Sequence, residues 1–243
     1  MAFAFAADSM NDNGITQRFR DRTEAGRLLL ASRLARYADR PNVLILALPR
    51  GGVPVAFEIA RALNLRLDVF FVRKLGVPGQ EELATGAVAS GNVRILQPDV
   101  IEGLRIPRSV IDTVTAEEIR ELARRERAFR GDRPSPQLRG RHIILVDDGL
   151  ATGSTMRAAV AALKLQRPER IIVAVPVAAS EPCDEFKSEV DDIICLRIPT
   201  SFYAVGLWYE TFPQVTDEEV REFLKKADEL WASRNSDHSI RVA

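Results

Sequence analysis

The chain contains few of the residues that often mark catalytic or metal sites. Its 243 residues include only two cysteines and two histidines. Cys183 and Cys195 form no C-x-x-C pattern and have no histidine near them in the sequence, which argues against a zinc site or a disulfide and predicts inert, reduced thiols. His142 lies at the start of a predicted strand and His238 in the C-terminal tail, so no Ser-His-Asp triad is indicated.

The sequence also lacks an excess of charge and a long apolar run. Lys plus Arg and Asp plus Glu each total 34, so no overall field attracts the protein to nucleic acid or to an anionic membrane. No segment reaches the roughly 20 apolar residues that span a bilayer. The apolar start lacks the basic region of a signal peptide. We therefore expect a cytoplasmic protein without nucleic-acid or membrane partners.

Apolar segments alternate with helical ones along most of the chain. Strands are predicted over 43–48, before Arg73, over 143–146 and in two later runs, and each is apolar throughout instead of at every second position. This pattern is typical of a parallel sheet that is covered on both faces. The sequence predicts an α/β fold with a mostly parallel, doubly wound sheet, in a single domain over 1–243, with an inserted loop and helix at about 76–140.

The predicted helices complete this alternation. The first covers 21–38 and is capped by Asp21 or Thr23. The last begins at Asp217, where Thr216 and Glu219 form a capping box, and ends near Ala232. Ligands of such sheets bind beyond the carboxyl ends of the strands.

The most informative stretch is IILVDDGLATGST, residues 143–155. An apolar strand runs directly into Asp147 and Asp148, and a small-residue loop then leads to a helix at Ser154. The amide groups of such a helix start suit a phosphate monoester, and carboxylates can accept hydrogen bonds from sugar hydroxyls or lie near Mg²⁺. A ribose 5-phosphate offers hydroxyls for the two acids and a phosphate for the amide groups. Two acids after a strand can also be a simple helix cap.

The string VDDGLATGST resembles the signature with which type I phosphoribosyltransferases bind 5-phosphoribosyl 1-pyrophosphate (PRPP). The resemblance implies that Asp147 and Asp148 are catalytic residues that hold the ribose hydroxyls. It implies Mg²⁺ as a cofactor, held mainly by PRPP, with the same two acids as further candidate ligands. The residues implied to bind the 5-phosphate are Ala151, Thr152, Gly153, Ser154 and Thr155.

A second loop of that family is matched by LPRGG after the first strand. The resemblance implies that Arg50, Gly51 and Gly52 bind pyrophosphate, with Arg50 also catalytic, because a guanidinium binds phosphate oxygens and glycine lets the backbone approach the ligand. It also implies a non-proline cis peptide, which we expect between Arg50 and Gly51. Taken alone, two glycines between a strand and a helix are more often a simple turn.

A third segment, FFVRKLGVPG, is similar to the basic segment of adenine phosphoribosyltransferases. The likeness implies that Arg73 and Lys74 bind pyrophosphate at the end of the second strand, with Lys74 also catalytic; solvated surface charge is the alternative. Where adenine enzymes carry Tyr-x-Leu-Glu-Tyr, this chain has EELATGAVASGNV, so adenine is doubtful as the acceptor. The later run RRERAFRG either supplies arginines to a lid or is exposed helix charge.

The C-terminal part concentrates aromatic residues and resembles a hood over the acceptor. The implied hood and helix cover about 196–232, and Phe202, Tyr203 and Trp208 are candidate acceptor-binding residues, unless they only plug the open edge of the sheet. Together with DRTEAG, PRGG, VRKLG and VGLWY, the chain resembles bacterial phosphoribosyltransferases whose acceptor is unassigned.

The implied activity is Mg²⁺-dependent transfer of the 5-phosphoribosyl group from PRPP to a small nitrogenous acceptor, with a nucleobase as the first expectation. Pyrophosphate is the second product, and a homodimer is expected. A PRPP-binding sensor without turnover is the alternative. A nucleotide-dependent Rossmann enzyme would need G-x-G-x-x-G after the first strand, and PRGGVP does not supply it.

Overall fold

The computed structural model describes residues 18–30, 34–77, 80–131 and 133–240; for 28–30, 80–83 and 236–240 it describes the backbone alone. The strands are β1 Val43–Ala47, β2 Arg66–Val69, β3 Val72–Val77, β4 Gln80–Ala89, β5 Val93–Leu96, β6 His142–Val146, β7 Arg170–Val177 and β8 Asp192–Arg197. The α-helices are α1 Arg22–Glu24, α2 Gly52–Leu63, α3 Pro98–Gly103, α4 Arg108–Arg130, α5 Ser154–Leu165, α6 Ser180–Glu189 and α7 Asp217–Ile240.

Five strands form a central parallel sheet in the order β2-β1-β6-β7-β8. Residues in β1, β6 and β7 are almost all buried, and their side chains alternate between two cores. Ile45 and Ile144 face a core that includes α2 and α7, whereas Leu46 and Leu145 face one that includes α5 and α6. Helices therefore cover both faces, which confirms the predicted doubly wound α/β fold.

A separate antiparallel sheet, in the order β3-β4-β5, is inserted after β2. Within it β4 and β5 form an antiparallel hairpin, and the predicted inserted helix is confirmed as α4. The prediction of one second strand that runs up to Arg73 is wrong, because β2 ends at Val69 and β3 begins at Val72. The N–H of Phe70 still bonds to Ala47 of β1, but Phe71 exchanges hydrogen bonds with Ser90 beyond β4. The strand breaks there because two different neighbouring strands satisfy its backbone, so Arg73 lies within β3 and not at the end of β2.

The ends of the chain agree with the predictions in part. Asp21 caps the first helix by accepting a hydrogen bond from the Glu24 N–H at 2.7 Å, as expected. From Ala25 to Leu30 the helix has π geometry, and the predicted continuation over 31–33 lies outside the described residues. A 3₁₀ turn covers Ala35–Tyr37. No helix within the described ranges is long and apolar enough to cross a membrane.

Candidate functional site

The loops after β1 and β6 meet at the carboxyl edge of the central sheet. Ala47 is the register partner of Val146, so the chain leaves both strands side by side. A Cβ atom added to Gly51 would lie 2.0 Å from Oδ2 of Asp148. One added to Gly52 would lie 2.7 Å from the Val146 carbonyl oxygen. Both glycines are therefore required for the PRGG loop to pack directly on the acid pair.

The loop after β1 contains a non-proline cis peptide, as the family resemblance implied, but at a different bond. The cis bond joins Pro49 to Arg50, so the predicted position between Arg50 and Gly51 is wrong. Neither bond ends at a proline nitrogen, and the residue types alone do not distinguish them.

Asp148 is held by Arg22, a residue to which the sequence analysis assigned no role. Nε of Arg22 donates to Oδ2 of Asp148 at 2.8 Å, and the two side chains are 9% and 15% exposed. Nη1 of Arg22 donates to the Pro213 carbonyl oxygen at 2.8 Å, and the guanidinium carbon lies 3.6 Å from the centre of the Phe212 ring. Arg22 lies in the segment DRTEAG, which contributed to the family resemblance, and this is the only signal in the sequence that could have indicated it.

The two carboxyls of the acid pair have different surroundings. Oδ1 of Asp147 accepts a hydrogen bond from the Asp148 N–H at 2.9 Å. Burial, followed by the charge of Asp148, raises the pKa of Asp147 well above its usual value. Burial also raises the pKa of Asp148, but the hydrogen bond and charge of Arg22 act in the opposite direction. Arg22 therefore offsets the desolvation of Asp148 through both a hydrogen bond and its charge, whereas on Asp147 it acts through its charge alone.

The C-terminal segment fixes the acid pair from a second side. The Tyr209 hydroxyl donates to the Asp148 carbonyl oxygen at 2.6 Å, and burial raises the pKa of this phenol. Tyr209 was not predicted, although it lies in the quoted segment VGLWY. Phe202 and Trp208 are half-buried and pack against the hydrophobic cluster that contains Tyr209, whereas Tyr203 is 86% exposed. Packing thus accounts for Phe202 and Trp208, and the acceptor role of all three aromatic residues stays a prediction.

The loop over 151–155, which is predicted to bind the 5-phosphate, turns directly into α5. Gly153 precedes α5 with a φ of 73°, which favours glycine. The Thr152 hydroxyl lies 3.4 Å from the Ser154 N–H. Ala151, Thr152 and Thr155 are exposed, and Ser154 is half-buried. The loop therefore presents its hydroxyls and the first amides of α5 at the same sheet edge as the acids.

The three cations predicted to bind pyrophosphate have different surroundings. Nη1 of Arg50 lies 3.3 Å from Oδ1 of Asp217 at the start of α7. Arg73 pairs with Glu118 of α4, and the hydrogen bond and charge of that carboxylate raise the pKa of the guanidinium. Lys74 projects from the other face of β3, because side chains alternate along a strand.

Lys74 lies beside the start of α5. With Ser154 and Arg157 it lines a cavity of about 240 Å³ between the inserted sheet and α5. Within the described part of the chain, Lys74 forms no ion pair. The structure therefore brings Lys74 together with the phosphate loop and directs Arg73 towards α4.

Three arginines of the RRERAFRG run on α4 pair with acids in this structure. Arg124 and Arg125 both pair with Glu121 on the exposed side of the helix. Arg130 is 5% exposed and donates to Asp68 at 2.8 Å and to the Val69 carbonyl oxygen at 2.6 Å. These contacts favour exposed helix charge for the first two residues. Arg130 instead anchors α4 to β2.

The chain is similar to known proteins over most of its length. A family model for the phosphoribosyl transferase domain matches residues 24–208. A protein of Mycobacterium tuberculosis H37Rv that is provisionally named a phosphoribosyl transferase is 44% identical over 209 residues, which are 86% of this chain and 47% of that protein. The chain thus spans about half the length of that relative.

Two further comparisons agree with this match. The bifunctional protein PyrR of Deinococcus radiodurans is 34% identical over 136 residues, 53% of this chain and 72% of that protein. The crystal structure of TT1426 from Thermus thermophilus superposes with a TM-score of 0.75 and 42% identity, covering 86% of this chain and 98% of that chain. With the acid pair and the glycine loops in place at one sheet edge, these matches show that the chain belongs to the phosphoribosyl transferase family.

Proposed function

We propose that this protein transfers the 5-phosphoribosyl group of PRPP to a nitrogenous acceptor, a nucleobase being the first expectation. The observation that carries the proposal is the arrangement after β6. There Asp147, Asp148 and the partly exposed loop over 151–155 lie at one sheet edge, with the PRGG loop after β1 packed against the acids. This spacing of acids and amide donors suits a sugar and its phosphate.

The reaction is a substitution at C1 of the ribose. The bond from C1 to the pyrophosphate oxygen breaks, a bond from the acceptor nitrogen to C1 forms with inversion, and the acceptor nitrogen loses a proton. Positive charge develops on the sugar ring, and the carboxylates of Asp147 and Asp148 stabilise it. The departing pyrophosphate is bound by Arg50, Arg73 and Lys74, whose positive charges stabilise it. To bind it, Arg50 and Arg73 separate from the carboxylates with which they are now paired.

The acid pair also fits the Mg²⁺ ion that the family implies. No cluster of three or more His, Cys, Asp or Glu in the described ranges is arranged to hold a metal. A Mg²⁺ ion that arrives with a diphosphate needs only one or two protein carboxylates, because phosphates and water supply the other oxygens. Oδ2 of Asp147 and Oδ1 of Asp148 have no partner among the hydrogen bonds of the pair and could face such an ion. Mg²⁺ would neutralise charge on the departing pyrophosphate.

A PRPP-binding protein without turnover is the second candidate. Relatives named bifunctional protein PyrR support it, since that name indicates more than one activity. The free thiols of Cys183 and Cys195 fit a cytoplasmic location for either function. The expected homodimer stays a prediction.

Pyrophosphate release from Mg·PRPP tests the proposal across a panel of purines, pyrimidines and small amines. We expect release with one class of acceptor. Asp147→Asn combined with Asp148→Asn is expected to lower the rate by at least about 10²-fold, the effect of removing electrostatic stabilisation of a transition state. The matched control combines Asp112→Asn with Asp184→Asn, since these two acids are exposed and lie outside the site.

The outcomes separate the two candidates. Release that is lost only in the site variant supports the transferase. Tight binding of Mg·PRPP without release, whichever acceptor is added, favours the sensor. A wild-type protein that does not bind Mg·PRPP contradicts both.

A further inference from the structure

We propose that Arg22 is a positioning residue for phosphoribosyl transfer, which fixes the Asp148 carboxylate and joins it to the C-terminal segment. The inference rests on the proposed function. Arg22 lies in α1, before the first strand, and Asp148 follows β6, so the two residues are 126 positions apart in the sequence. The fold brings a cation from outside the central sheet directly onto one of the two acids.

Arg22 uses two of its three guanidinium nitrogens and the flat face of the group. Nε binds Oδ2 of Asp148, Nη1 binds the Pro213 carbonyl oxygen, and the flat face of the guanidinium lies on the Phe212 ring. A lysine could supply the charge but neither the second directed bond nor the stacking. The geometry is therefore specific to arginine.

Burial distinguishes this ion pair from the other two at the site. The side chains of Arg22 and Asp148 are 9% and 15% exposed, against 37% and 49% for Arg50 and Asp217. Those of Arg73 and Glu118 are 28% and 24% exposed. Separating an exposed ion pair costs little free energy, whereas separating a buried one is costly. The Arg22 contact therefore persists while a ligand binds, and the others can open.

The orientation of Asp148 follows from these restraints. Arg22 holds Oδ2, and the Tyr209 hydroxyl holds the backbone carbonyl of the same residue. Oδ1 is left to accept a hydrogen bond from a ribose hydroxyl. A carboxylate that is already oriented loses little freedom when the sugar binds. Arg22 thus acts through Asp148 and does not itself touch the sugar.

The test compares Arg22→Gln and Arg22→Lys with Arg27→Gln in the full chain. Arg27 is the matched control because it lies on the same segment and also pairs with a buried carboxylate, Glu58, away from the site. Calorimetry measures the affinity of each protein for Mg·PRPP and, separately, for inorganic pyrophosphate with Mg²⁺. Thermal unfolding shows whether each variant is folded.

We expect Arg22→Gln to weaken Mg·PRPP binding by about 10- to 100-fold, the usual effect of removing a residue that orients a ligating side chain. Pyrophosphate, which has no ribose, should lose less than about two-fold. Arg22→Lys should restore part of the PRPP affinity, because it keeps the charge but not the fork. Arg27→Gln should change neither affinity.

Three results would overturn the inference. Unchanged PRPP affinity in Arg22→Gln would show that the contact does not position the site. Equal losses for PRPP and pyrophosphate, with a lower unfolding temperature, would show a general structural role; if Arg22→Gln does not fold, the same comparison is made with Arg22→Lys. A wild-type protein that binds no PRPP would instead refute the proposed function, and this inference with it.

Discussion

The acid pair follows a strand of the central sheet, whereas Arg73 and Lys74 lie on the inserted sheet, and the two sheets hold these side chains in different ways. β1 and β6 are buried almost throughout, and Asp148 after β6 is fixed by a buried arginine. In the inserted sheet, β5 alternates between half-buried and exposed positions, Lys74 of β3 is exposed, and Arg73 shares a partly exposed ion pair.

This difference separates a preformed half of the site from an adaptable half. The acids that would bind the ribose are positioned before any ligand arrives. The cations that would bind pyrophosphate are either exposed or held by partners that a phosphate can displace, because partly exposed ion pairs contribute only about 0–1 kcal/mol.

Arg130→Ala tests whether the inserted region is firmly attached to the central sheet. The change leaves Asp68 and the Val69 carbonyl oxygen without a buried partner, so we expect the free energy of unfolding to fall by about 3–5 kcal/mol. Urea unfolding measures it. Arg124→Ala is the control, since that side chain is 66% exposed and should cost less than about 0.5 kcal/mol. Equal effects would show that α4 is only loosely docked.

Gly51→Ala tests how tightly the preformed half is packed. The new Cβ would meet Oδ2 of Asp148 at 2.0 Å, so the loop must move. We expect a loss of about 1–3 kcal/mol in stability, together with weaker binding of Mg·PRPP. Gly103→Ala is the matched control, because a Cβ there meets nothing within 4 Å. Similar melting temperatures and PRPP affinities for the two variants would contradict the packing described.

Asp147→Asn tests the cost of keeping the acid pair buried. Because burial and Asp148 raise the pKa of Asp147, the folded protein binds this proton more tightly than the unfolded chain. Stability therefore decreases as the pH rises from the ordinary pKa of an aspartate towards the raised value. At pH 7 the variant should melt about 2–4 °C higher, the shift that roughly 1 kcal/mol produces in a domain of this size. Differential scanning calorimetry from pH 4 to 8 measures it.

The advantage of Asp147→Asn should shrink as the pH is lowered, because the wild-type carboxyl then becomes neutral as well. Asp184→Asn, a change at an exposed acid on α6, serves as the comparison and should show no such gain. A variant that is less stable than wild type at pH 7 would mean that the Asp147 carboxylate is not penalised by burial.

Glu118→Gln tests whether the ion pair with Glu118 weakens the binding of an anion by Arg73. Removing the carboxylate frees Arg73 for an anion, and inorganic pyrophosphate should bind about two- to five-fold more tightly, the range that a partly exposed ion pair allows. Glu121→Gln removes the same charge from the same helix but from the pair of Arg124 and Arg125. By calorimetry, Glu121→Gln should bind pyrophosphate about as tightly as wild type. If both variants bind it equally more tightly, the change in net charge explains the effect and the release of Arg73 does not.

Most of the secondary structure could be predicted from the sequence, and so could the loops that follow β1 and β6. Apolar strands, the Thr216–Glu219 capping box and the small-residue loop before Ser154 depend on interactions between near neighbours, which the order of residues records directly. The break between Phe70 and Phe71 could not be predicted, since an apolar run does not show that its two halves pair with different strands.

The sequence by itself thus determined most of the strands and helices and the small-residue turn before Ser154, and through the motif it predicted which residues carry the chemistry. Only the tertiary structure decided which of them are held in place. Arg22 and Tyr209 reach Asp148 from opposite ends of the chain, and Arg73 and Lys74, adjacent in sequence, face different neighbours. Contacts between distant residues depend on how the elements pack, and no local pattern encodes them.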